Sequence, residues 1–338
     1  LSFLITAFLV LLLAIIAYVG GFLPGRYLRR TDRLALHANS RNQDTQWREI
    51  IETITLSLSD QQLVTGLAIL VAGYYETLNG GLSVYHWNIV VYLAWMSSAV
   101  HIASLTLLKD VFNERPKLRN VRVAGMLLLL VLLTAAMWPL RRASVPIGTP
   151  VRCLWRSRPW NAWLDPKKHD AASLDLSWVV SVAMLVSAYI WKLSQLFSSS
   201  RGWVRQWLVA KPQAAMERMM RRALLSNRAK WQTRPAYYFL MYLYTISVVY
   251  AETAESFAAA IVYLCLALAR GAICILWQRN SVPDEVKDGE SALTFGQLVP
   301  LFFLILPALT VLGLSAREYA APSDILCVLT VRVSRSKA

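Results

Sequence analysis

Two long apolar runs, residues 57–78 and 85–108, follow each other across Asn79-Gly80-Gly81. Each is long enough to cross a bilayer core of about 30 Å at roughly 1.5 Å per helical residue. Asn-Gly-Gly is strong turn chemistry, because these residues accept backbone conformations that others resist. The pattern predicts a transmembrane helical hairpin. Composition agrees: 56% of the 338 residues are hydrophobic and only 16% charged, outside the range of soluble domains.

The rest of the chain repeats the theme. Apolar runs at 3–23, 121–139, 174–197, 236–252, 256–278 and 293–314 complete an all-α, polytopic transmembrane bundle of about eight spans within residues 1–320. The run at 3–23 reads as a retained anchor, since it ends in Phe22-Leu23-Pro24 instead of a small-residue cleavage site. Residues 47–54 are amphipathic and predict a short interfacial helix before the second span. Residues 321–338 form a weakly patterned tail. The four Cys residues lack metal-binding spacing and are expected as free thiols, a Cys153–Cys327 bridge being the alternative.

A net charge of +15 is compatible with nucleic-acid binding, but the Lys and Arg residues lie between the apolar runs. The bilayer and anionic lipid headgroups are therefore the expected partners, and nucleic acid is not. The segment 198–235 is the most basic, and its Met216, Met219, Met220, Ala223 and Leu224 recur at helical spacing. It predicts an amphipathic helix on the anionic leaflet, with a calmodulin-type target as the sharper alternative. Placing the loops after the first, third, fifth and seventh spans in the cytoplasm puts most of the basic residues there. That scheme sets the turn at 252–255 on the outer side. The membrane is either the plasma membrane or an endomembrane.

Charged groups within a span are costly, about 2.5–3.5 kcal/mol on insertion scales, so each needs a reading. Counting from the turn, Asp60 falls level with the region of His101 on the returning span, and Glu76 falls near His86. Ala94, Ser97, Ser98, His101 and Ser104 share one helical face. Arg270 and Gln297 are expected toward the same side as Asp60. Asp60, Gln62, His101, Arg270 and Gln297 therefore form the candidate intramembrane cluster, with Glu76 and His86 as an outer-face pair. Two bland readings compete. Small hydroxyl residues serve helix packing, and Ser59 with Gln62 matches a capping box that begins the second span, placing Asp60 in its first turn.

No aspartate-rich diphosphate motif, P-loop, HExxH or GxSxG is present, and the four His residues are too dispersed for a metal cluster. No cofactor or metal is expected, and no catalytic residue is assigned. The run Leu58–Gly66 (LSDQQLVTG), with Tyr85-His86, Val91–Trp95 (VYLAW), Ser97-Ser98 and His101, resembles a group of fungal multi-pass integral membrane proteins without assigned function. Phe295-Gly296-Gln297 before Pro300 is similar to that group's closing motif. The resemblance implies a fungal membrane protein and carries no activity with it. The expected function is receptor- or sensor-like and non-enzymatic, to which a small lipophilic ligand is no obstacle. The alternatives are a cyclase-like membrane enzyme using Glu76 or Asp60 as its acid, and a transporter.

Overall fold

Residues 45–65 contain neither Gly nor Pro, so nothing local interrupts a helix begun there. In the computed structural model that stretch and the following span are one helix. The structure describes residues 2–23, 31–33, 45–79, 81–141, 148–156, 176–225 and 233–283. Within them the helices are α1 (Ser2–Val19), α2 (Thr45–Leu78), α3 (Val84–Leu107), α4 (Lys109–Glu114), α5 (Pro116–Met137), α6 (Val151–Arg156), α7 (Leu176–Leu196), α8 (Ser198–Arg205), α9 (Lys211–Leu225), α10 (Thr233–Ala254) and α11 (Phe257–Asn280). A 3₁₀ turn follows α5 and a π-helical turn joins α8 to α9. No strand forms among the described residues; one isolated bridge pairs Ser83 with Pro150.

The protein is an all-α bundle. Among the described residues, five helices are long and apolar enough to cross a membrane: Trp47–Leu78, Val84–Leu107, Pro116–Leu140, Val179–Leu196 and Phe257–Asn280; Phe3–Val19 is apolar but shorter. The sequence predicts about eight. The run at 293–314 and the tail at 321–338 lie outside the described residues, and the run at 236–252 falls in α10, whose many Tyr residues lower its hydropathy. The short interfacial helix predicted at 47–54 is instead the beginning of the 34-residue α2, which at about 1.5 Å per residue is longer than a hydrocarbon core.

Contacts fix how the helices run. Gly73 of α2 lies against Trp87 and Val90 of α3, and Ser59 meets Ser104, so the two are antiparallel as predicted. Ser83 caps α3 by accepting from the His86 backbone N–H. Helix α5 runs alongside α2: Gly125 faces Leu63, and the Tyr74 hydroxyl donates to the Leu132 carbonyl at 2.7 Å. The Trp87 indole donates to the Ala136 carbonyl at 2.9 Å, tying α3 to the end of α5. Trp155 of α6 packs on Tyr74 and Trp87 and covers this hairpin end. Lys192 of α7 reaches Thr106, and Arg119 lies over the Phe197 ring, so α7 ends at the opposite, basic end. Cys153, Cys265 and Cys274 are free thiols; Cys327 lies outside the described residues.

Helix α11 departs from the predicted inside–outside scheme. The buried Asp32 carboxylate accepts the backbone N–H groups of Phe257 and Ala258, each at 3.1 Å, while Ser256 Oγ accepts that of Ala259. The Tyr18 hydroxyl also donates to Asp32. A helix start leaves its first N–H groups without internal acceptors, and here two side chains supply three of them. Residue 32 and the turn at 252–256 therefore lie at one end of the bundle, where the loop scheme separates them. Loop charge could not show this, because the tie is a single capping carboxylate contributed from 225 residues away. We expect Asp32→Ala to cost about 1–2 kcal/mol in detergent unfolding, the range of a lost cap. An unchanged midpoint would show that the tie is not used.

Candidate polar site in the helix bundle

The polar face predicted on residues 97–104 is fully buried, and α2 and α5 supply its partners. His101, Ser59, Ser97 and Ser104 are all 0% exposed. Ser59 Oγ lies 3.2 Å from His101 Nδ1, and Ser97 Oγ lies 3.1 Å from Nε2. Each imidazole nitrogen thus meets a hydroxyl; because the single Ser97 proton goes to the Gln62 carbonyl, the ring is satisfied as the Nε2–H tautomer, donating to Ser97 Oγ while Nδ1 accepts from Ser59. Ser97 Oγ also donates to the Gln62 carbonyl at 2.8 Å, and Ser104 Oγ to the His101 carbonyl at 2.9 Å.

Arg122 closes the network from α5. Its side chain is 3% exposed, with Nη1 2.7 Å from Asp60 Oδ1, and Nη2 donates to Ser59 Oγ and Ser104 Oγ. The guanidinium lies 5.3 Å from the centre of the buried Phe112 ring. One carboxylate, one guanidinium, three hydroxyls and one imidazole thereby connect α2, α3 and α5. Gln62 adds α1 through its Nε2–H to the Phe3 carbonyl at 2.9 Å.

Sequence reasoning missed Arg122. It counts as a loop cation if the helix begins near residue 121, yet α5 begins at Pro116, where proline suits a first helical position. That start puts Arg122 nearly two turns inside. The signal was present in Pro116, but choosing Asp60 as its partner required the packing of α5 on α2.

The structure brings Asp60 and His101 into one network through Ser59, with Gln62 bordering it. Arg270 is placed elsewhere: its Nη2 donates to Ser181 Oγ at 2.9 Å, and its guanidinium lies 5.9 Å from the Trp95 ring centre. Asp60's ion-pair partner is Arg122, not Arg270, because α11 starts at the Asp32 end and so carries Arg270 past the level of Ser59 and Ser104 to Trp95 of α3 and Ser181 of α7. Gln297 lies outside the described residues. Ser59 does not cap a helix start either, since α2 begins at Thr45 and Ser59 is well inside it. At the hairpin end both Glu76 and His86 are exposed. His86 Nδ1 lies 2.9 Å from Ser83 Oγ, and the Glu76 backbone carbonyl accepts from Gly81.

Around His101 the cluster is closed. A Ser–His–Asp relay needs the carboxylate on the imidazole and a hydroxyl that substrate can reach. Here both ring nitrogens face hydroxyls, the carboxylate is on an arginine, and the hydroxyls are buried. No group of three or more His, Cys, Asp or Glu among the described residues is arranged to hold a metal ion.

Comparison with known proteins gives a fungal context. The chain is 27% identical to the Elsinochromes biosynthesis cluster protein HP2 of Elsinoe fawcettii over 176 residues, covering 47% of this chain and 44% of that protein. It is 31% identical to the Elsinochromes biosynthesis cluster protein HP3 of the same fungus over 104 residues, covering 31% of this chain and 41% of that protein. The chain thus spans less than half the length of either relative. No family model matches, and no solved structure does. The relatives are fungal, and their names give a cluster and no activity.

Proposed function

We propose that this chain is a multi-pass integral membrane protein that performs no chemistry at its polar core and serves as an accessory membrane component, as in a fungal biosynthetic cluster. The observation that carries the proposal is the closure around His101: both ring nitrogens and the neighbouring carboxylate are committed to protein partners. A cyclase-like enzyme needs an acid facing an apolar cavity, whereas Asp60 faces Arg122 and Glu76 is exposed at the hairpin end. A non-enzymatic bundle can work through a ligand site in its core or through its surfaces. The filled space around His101 favours the surfaces, so a receptor- or sensor-like duty rests on them. The relatives' shared cluster name supports the biosynthetic setting.

The test separates folding from function. His101→Gln and Ser97→Ala should each cost about 1–2 kcal/mol, the scale of buried hydrogen bonds lost. In a fungal host whose own copy is deleted, any change in metabolite profile should follow the amount of folded protein in the membrane. A variant with wild-type abundance and unfolding midpoint that fails to restore the profile would make the cluster functional and overturn the reading.

A further inference from the structure

The segment from 197 to 256 leaves and re-enters the bundle at the same end. Helix α7 finishes beside Thr106, near the end of α3. Helix α11 begins on Asp32 and Tyr18, where Phe22 meets Trp47 in the first turn of α2, the half of α2 that packs on the end of α3. Between those points α9 packs antiparallel along α10, with Gln213 Nε2 donating to Ser247 Oγ at 3.4 Å. If α10 crossed the membrane, α9 would have to accompany it. Helix α9 exposes Lys211, Arg218, Arg221 and Arg222, with Glu217 as its acidic residue, ion-paired to Arg221 at 2.7 Å. Placing that many exposed charges in hydrocarbon is prohibitive. Yet α10 cannot simply stand in water, because Tyr238, Phe239, Met241, Tyr242, Ile246 and Tyr250 leave a broad apolar face exposed.

We infer that the α9–α10 hairpin lies flat on the membrane at the basic end of the bundle. The apolar face of α10 is sunk at the headgroup boundary, and the cations of α9 engage the phosphates of anionic lipids. This inference rests on the membrane reading above. Four features favour lipid as the occupant. Both ends of the hairpin join helices of transmembrane length at this interface, and α9 carries an excess of cations over its single acid. Trp203 and Trp207 are exposed beside it, as suits amphipathic rings at headgroup level, and Lys211 Nζ sits 3.0 Å from the Trp207 ring centre. The run at 236–252 then ceases to be a span. The chain alternates across the bilayer through α2, α3, α5, α7 and α11, and the region after Asn280 emerges on the side opposite the basic loops.

The experiment uses the full chain in phospholipid vesicles, with native cysteines replaced and single nitroxide labels at 238, 242, 246 and 250, and at 131 on α5 as a control. Depth is read from collisions with oxygen against a water-soluble nickel chelate. The expected result is one shallow depth, about 5–10 Å, for all four α10 labels, with position 131 deep. A spanning α10 would spread them over about 18 Å of depth and overturn the inference while leaving the membrane reading intact. A control at 131 open to the nickel chelate would overturn both. Labels on α10 that are shielded from both reagents, or fully open to the chelate, would mean burial by another copy of the chain or an arm in solution, and either result overturns the inference. Adding phosphatidylserine should lower chelate access at a label on position 214 by about twofold or more, and Arg218→Gln/Arg221→Gln/Arg222→Gln should abolish that change. An equal response in the triple variant would overturn the headgroup contact. Glycosylation acceptors provide a check without labels: sites in 142–147 and 284–290 should be modified, and sites in 34–44 and 226–232 should not. Modification at 226–232, or its absence at 284–290 alone, would restore the spanning scheme.

Discussion

Asp60→Ala should be the most damaging single change in the polar cluster, lowering stability in detergent by about 3 kcal/mol or more. The reason is an asymmetry in burial. The Arg122 side chain is 3% exposed whereas that of Asp60 is 45% exposed, so removing the carboxylate strands a guanidinium that solvent cannot reach. Removing the guanidinium leaves a carboxylate that the protein encloses far less completely. Arg122→Met should therefore cost less, because an unbranched apolar chain fills the slot beside Phe112 and Ser104 without bringing a charge. The double variant Asp60→Ala/Arg122→Met should recover part of the Asp60→Ala loss, since a buried ion pair replaced as a unit by apolar groups is often neutral. Denaturant titrations of the four proteins measure the coupling. Strictly additive effects would show that the pair is not energetically linked and that Arg122 is held by its hydroxyl partners alone.

Much of the bundle was legible from the chain because the determinants were local. The hairpin followed from two apolar runs and Asn79-Gly80-Gly81, and the buried face of α3 followed from the spacing of Ser97, His101 and Ser104. Pattern reading failed where an identical signal serves two structures. Ser59 and Gln62 match a capping box, but the same residues three apart on a continuing helix direct both side chains inward, where Ser59 meets His101 and Gln62 meets Phe3. Apolar content alone likewise suggests a span at 236–252, and it does not report the charged helix α9 packed along α10. Arg270 was assigned by depth from the loop scheme, and α11 starts at the opposite end from the one that scheme gives it, which moves Arg270 away from Asp60. The partner choices that mattered, Asp60 with Arg122 and Asp32 with the start of α11, join residues 62 and 225 positions apart and depend on packing.

The second large effect should come from the glycine that lets α2 and α3 approach. A Cβ added at Gly66 would lie 2.9 Å from Ser97 Cβ and closer still to its Oγ, with Leu129 at 3.6 Å on the α5 side. Ser97 cannot step aside without releasing its bonds to the Gln62 carbonyl and to His101 Nε2. Overpacking and loss of hydrogen bonds therefore act together, and Gly66→Leu should cost about 3 kcal/mol or more and reduce membrane insertion. Gly125 provides the contrast. There the three atoms nearest a new Cβ all belong to the rotatable Leu63 side chain, Cδ2 being the closest at 3.0 Å, so Gly125→Ala should be near neutral once the helix-propensity gain of about 1 kcal/mol is included. Moving the small residue across the interface tests the cause. Gly66→Ala with Ser97→Gly relieves the contact at the cost of the hydroxyl, so the double variant should be more stable than the summed losses of its parents. Small residues at membrane-helix interfaces act by allowing close backbone approach. If Gly66→Ala alone unfolds at the wild-type midpoint, the approach of α2 to α3 is not set at this position, and the polar cluster must hold the helices together without it.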